Sequence, residues 1–207
     1  LYLTKQLKKI LLIIDKFVDK NNKTKYLTFH NGTVCYQVLN QIEHIKNPIY
    51  LYIARYAIDY SSISDSINKI NWNQTQILSQ HNIYVETILF QTKQFKKDIE
   101  DLRTCKVLPQ LNKIITDCLL KQVLMVIMKV LVDSYSLVKI CSNEGRALML
   151  LDFQQLLIKL EIICEIKPIP NKDYVENYIK AFYLPKTSID KWIKEHEVIK
   201  YFLNFTY

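Results

Sequence analysis

Gly occurs only twice in this 207-residue chain, at Gly32 and Gly145, and Pro only five times. That scarcity constrains the fold more than any other feature. The two residue types together make up roughly 3% of the chain, against about 12% in an average protein. A β-sandwich or barrel needs turn chemistry every 8–12 residues or so, and this sequence has far too little of it. Dinucleotide and P-loop folds need glycines clustered where backbone approaches phosphate, and neither glycine sits in such a cluster. With 49% hydrophobic and 12% aromatic residues, the chain is too apolar for a disordered tail. A mainly helical protein remains, long enough for one domain or two small ones.

The net charge of +8 suggests nucleic acid until it is divided by residue type. Arg occurs only at Arg55, Arg103 and Arg146, which leaves 25 Lys. Specific phosphate and base readers depend on the planar Arg fork, which Lys does not replace. No nucleic-acid partner is therefore expected. The five cysteines, Cys35, Cys105, Cys118, Cys141 and Cys164, form no CxxC pair. Reduced, buried thiols in a cytoplasmic protein are expected, with no disulfide or zinc site. The most apolar run, Leu119 to Val132, carries Lys121 and Lys129, so it predicts a core helix and not a membrane span. Opening on Leu1 instead of Met, the chain is expected to be a piece of something longer.

Helical periodicity dominates along the chain. Leu7, Ile10, Leu11, Ile14, Phe17 and Val18 predict a first helix, and Val34, Val38, Ile42 and Ile45 a second. Asn47–Pro48 reads as the cap and first position of a third, running towards Ile70. The pattern resets at Asn71–Trp72–Asn73, which divides an N-terminal helical bundle (1–71) from a C-terminal one (72–207). There the sequence predicts a helix from about Gln74 to Thr104, then another from Pro109 to about Cys141. A third follows from Ala147 to Ile166. Its polar strip narrows to Asp152, Gln155 and Lys159, so Phe153, Leu156, Leu157 and Leu160 are expected in the core. After Pro168 and Pro170, Asn171 caps a helix carrying Val175, Tyr178, Ile179 and Phe182, which stops at Pro185. A last helix starts at Thr187 or Ser188. The fold class is all-α: stacked antiparallel helical bundles forming an elongated rod.

Chemistry is absent from the pattern. His30, His44, His81 and His196 share no metal-binding spacing. No cysteine sits in a nucleophile motif, and the carboxylates read as solvated helix faces. There is no EF-hand loop, phosphate cradle or GxSxG. No catalytic residue, cofactor or metal is expected, and the chain is not expected to be an enzyme.

Cys141–Ser142–Asn143–Glu144–Gly145–Arg146–Ala147–Leu148–Met149 and Leu151–Asp152–Phe153–Gln154–Gln155 resemble the C-terminal region of the syndetin family. So do Ser79 to Val85, Pro168–Ile169–Pro170, Tyr178 to Leu184, and Trp192–Ile193–Lys194–Glu195–His196. These are long literal stretches, spread over residues 72–95 and 140–197. The resemblance implies a subunit of a complex associated with tethering containing helical rods, the endosome-associated recycling protein complex. Such subunits assemble through N-terminal coiled coils and project C-terminal helical bundles. Implied partners are the subunits shared with the Golgi-associated retrograde protein complex, SNARE proteins and small GTPases. Implied localisation is cytoplasmic, peripheral on recycling endosomes and the trans-Golgi network, serving return of cargo to the plasma membrane.

The alternative is a Lys-rich helical module that binds an anionic membrane surface or nucleic acid. The basic cluster Lys93, Lys96 and Lys97 runs straight into Asp98, Glu100 and Asp101, which favours the tether. For a partner interface the terminal helices offer Tyr174, Tyr183, Lys191 and Lys194, aromatic residues beside charge. The competing expectation is that Tyr178 and Trp192 simply close the end of the bundle core.

Overall fold

Helices account for 78% of the residues that the computed structural model describes, namely 46–76, 81–104, 113–185, 187–188 and 191, and none of these lies in a strand. We number the helices α1 (46–57), α2 (Tyr60–Asn68), α3 (Ile83–Thr104), α4 (Lys113–Ser136), α5 (Asn143–Cys164) and α6 (Lys172–Ala181). The two helices expected before residue 46 lie outside the described residues. So does most of the expected last helix, of which residues 187, 188 and 191 are described and helical. None of the described helices is long and apolar enough to cross a membrane.

Several helix ends fall where no Gly or Pro marks them. The helix expected from Asn47–Pro48 towards Ile70 is interrupted at Ile58–Asp59. There the Asp59 amide donates to Gln91 Oε1 at 2.9 Å, so an acceptor 32 residues away replaces the intrahelical carbonyl. Nor do Asn47 and Pro48 begin α1, which already includes Lys46. Further along, α3 starts at Ile83, and residues 71–76 are non-helical. In that segment Asn73 N donates to Asn71 Oδ1 (3.0 Å) and Gln74 Nε2 to Asn71 O (2.9 Å). Helix α4 stops at Ser136, short of Cys141, through tight bonds from Leu137 N to Ser134 O and Val138 N to Tyr135 O. Asn171 does stand at the N-cap of α6, but it adopts a left-handed conformation (φ 58°) and its side chain makes no capping bond.

The chain divides into two compact units. Described residues of the first are 46–59, 90–104 and 113–126, with Ile53, Ala54, Phe95, Ile99, Leu120 and Leu124 buried. The second takes 60–76, 81–89 and the described residues from 127 onward. Its interior holds Ile63, Ile67, Trp72, Tyr84, Tyr135, Leu148, Val175 and Ile179. Trp72 is buried there, its indole N–H donating to Ile67 O at 2.9 Å.

Helix α5 departs from expectation in orientation. Phe153, Leu156 and Leu160 are buried as predicted, but Leu157 is only half-buried. Asp152, assigned by pattern to a solvated strip, is fully buried, whereas Leu151, Ile158 and Ile162 are exposed. Polarity alone placed Asp152 on the outside; tertiary hydrogen bonds bring it in.

Candidate partner-binding surface

Helix α5 begins with a set of contacts that explains its Ser-Asn-Glu-Gly-Arg run. Ser142 has the extended backbone of an N-cap, and its Oγ accepts from Gly145 N at 3.0 Å. The same hydroxyl donates to Gln74 O at 2.7 Å, while Ser142 N donates to Trp72 O at 3.1 Å. One serine thus caps α5 and fastens segment 72–74 to it. At Gly145 a Cβ would collide with the Trp72 carbonyl oxygen. The glycine is required by this close approach, since its backbone is ordinary helix.

Arg146, one residue on, is 8% exposed. Its guanidinium carbon lies 4.3 Å from the Phe182 ring centroid and 5.9 Å from that of Tyr178, so two aromatic faces of α6 and its end cover it. Nη1 reaches only Met149 Sδ, at 3.7 Å, and Nε has no hydrogen-bond partner. Beside it, Tyr183 donates its hydroxyl to Asn143 O at 3.2 Å, and its ring meets Phe182 edge-on with centroids 6.1 Å apart. Phe182 and Tyr183 remain 47% and 51% exposed.

Deeper in the second unit Asp152 organises a buried polar cluster. Its Oδ1 accepts from Asn82 N at 3.0 Å, and Oδ2 from Asn82 Nδ2 at 2.7 Å and Tyr84 OH at 2.8 Å. Tyr135 OH stands 2.8 Å from Tyr84 OH. Because Tyr84 gives its proton to the carboxylate, Tyr135 must donate to Tyr84. Burial pushes both phenols up, Tyr84 well above the usual tyrosine range, with Asp152 adding to the rise in each. Two turns further along α5, Lys159 Nζ reaches Glu86 Oε1 at 2.7 Å, as does His81 Nε2. Their hydrogen bonds hold the Glu86 carboxyl below its ordinary value.

The predicted interface residues separate in the structure. Tyr183 is exposed at the first turn of α5, as described. Tyr174 is half-buried near Asp133 and Tyr178, and burial raises its phenol. Lys191 is exposed; Lys194 and Trp192 lie outside the described residues. Arg146 and Phe182 were not among the candidates, although one hint existed: an Arg where the chain otherwise uses Lys. Among the described residues no group of three His, Cys, Asp or Glu side chains is placed to hold a metal. Cys118 and Cys141 are half-buried and Cys164 is buried, while Cys35 and Cys105 lie outside the described residues. Burial pushes the Cys141 thiol up, which Arg146 partly opposes. The surface thus presents a recessed cation with two exposed aromatic rings beside it.

Comparison with known proteins agrees with the resemblance read in the sequence and extends it. The family described as "Syndetin, C-terminal" matches residues 1–204, which includes 1–71, where no resemblance was read. Syndetin of Mus musculus is 41% identical over 162 residues, covering 77% of this chain and 16% of that protein. Syndetin of Gallus gallus is 39% identical over 160 residues, with the same two coverages of 77% and 16%. The chain therefore spans about one sixth of these curated relatives. No solved structure matches it.

Proposed function

The chain belongs to the syndetin C-terminal family, and from that premise we propose that it is the C-terminal part of a non-catalytic subunit of a vesicle-tethering complex. The tether acts in endocytic recycling of cargo to the plasma membrane, peripheral on recycling endosomes. Its partners are the subunits shared with the Golgi-associated retrograde protein complex, together with SNARE proteins and small GTPases. The observation that carries this proposal is the family match over residues 1–204. The physical character of the described residues supports it: helices throughout, and exposed aromatic rings beside a cation. On α3, Lys93 and Lys97 are exposed together with Glu100 and Asp101, and Gln94 bonds Asp98 at 2.9 Å. A helix face of mixed sign is poorly suited to an anionic bilayer or to nucleic acid.

Affinity capture of the full-length protein from cells tests the proposal. Co-recovery of the shared tether subunits is the expected outcome, and their consistent absence would remove the tether assignment.

A further inference from the structure

A guanidinium that is nine-tenths buried normally has a carboxylate against it, because an unpaired buried charge is strongly destabilising. Arg146 has none. Among the described residues no carboxylate forms an ion pair with it, its Nε is unpartnered, and its one acceptor is the Met149 sulfur. The Asp152 carboxylate in the same unit, by contrast, receives three hydrogen bonds. Stacking on Phe182 occupies the face of the guanidinium and Nε is sealed inside, which leaves the outer Nη pair as the donors for a carboxylate.

We propose that Arg146, Phe182 and Tyr183 form the anchor point for an acidic peptide segment of a partner protein, resting on the tether assignment above. One Asp or Glu side chain pairs with the guanidinium edge, and a neighbouring apolar side chain lies on the two exposed rings. The rings are positioned before the partner arrives, Phe182 by its stack on Arg146 and Tyr183 by its bond to Asn143 O. Such held aromatics beside an arginine are the usual centre of a binding energy hot spot. The first turn of α5 adds its positive end, and the net charge of +8 favours the approach of an acidic segment. A single cation recessed between aromatic rings suits a protruding carboxylate, not a flat bilayer, which needs several exposed cations.

Site-specific photocrosslinking in cells tests this. Full-length protein carrying a benzophenone side chain in place of the exposed Asn143, whose backbone carbonyl still holds Tyr183, is irradiated, and the adducts are mapped by peptide sequencing. Expected adducts fall in a segment of another protein with Asp or Glu beside the attachment point. Arg146→Gln, which removes the cation, and independently Phe182→Ala, which removes the ring stacked on it, should each lower the adduct at least about tenfold. Phe182→Ala removes an exposed ring and serves if Arg146→Gln fails to accumulate. Capture of the shared tether subunits by the unsubstituted full-length protein is scored in parallel: failed capture removes the tether assignment, whereas retained capture without an acidic adduct removes only the anchor. Adducts only to lipid, adducts only within this chain, or yields unchanged in both variants would overturn it.

Discussion

Asp152 receives three donors inside the second unit, and it is the residue whose loss should be felt most. Asp152→Asn keeps the shape but turns an amide N–H towards at least one existing donor. It should destabilise the protein by about 2–4 kcal/mol, read from the urea unfolding midpoint. Tyr84→Phe, which removes one donor to Asp152 and the acceptor for Tyr135, should cost less, about 1–2 kcal/mol. Combined, the two changes should cost less than their sum, because they break the same bond. The raised phenols of Tyr84 and Tyr135 set a second expectation. Both stay neutral in the fold while unfolded tyrosines ionise near pH 10, so the folded state holds more protons above that pH. Their stability contribution is complete below about pH 10 and falls as pH rises further, by up to about 1.4 kcal/mol per pH unit for each phenol. Urea titrations at pH 9 and pH 11 check this, and Tyr135→Phe should flatten the difference.

Within single elements, α5 separates what periodicity reveals from what it hides. Buried Phe153, Leu156 and Leu160 were legible because an apolar stripe at helical spacing must pack somewhere. The burial of Asp152 was not, because its donors Asn82 and Tyr84 lie 70 and 68 residues away and no local pattern encodes them. The half-buried Leu157 follows from the same rotation of the helix. Leu156→Ala should therefore cost about 2–5 kcal/mol and Leu157→Ala clearly less, a contrast that one pair of unfolding curves decides. At the start of α5, Gly145→Ala would gain about 1 kcal/mol on helix propensity alone. Collision with the Trp72 carbonyl should outweigh that gain, leaving a net loss of about 1–3 kcal/mol. The break at Ile58–Asp59 was equally hidden, since its compensating acceptor is Gln91. Tyr183 was legible as an exposed aromatic; Arg146 was not, because its burial depends on Phe182 and Tyr178 from another element.

For the whole molecule, far-UV circular dichroism of the chain should report more than about 60% helix, against a base rate nearer a third, with no appreciable sheet component. The two units are each assembled from separated stretches of sequence. That discontinuity has a consequence during synthesis. Tyr84 is fully buried, and the carboxylate that accepts its proton is made 68 residues later. Ribosomes add about 5–20 residues per second, so on the order of 3–14 s pass in which the nascent segment around Tyr84, Val85 and Ile88 has no α5 to close over it. Ribosome-bound chains halted before residue 152 should accordingly recruit a holding chaperone that chains extended well past Cys164 release.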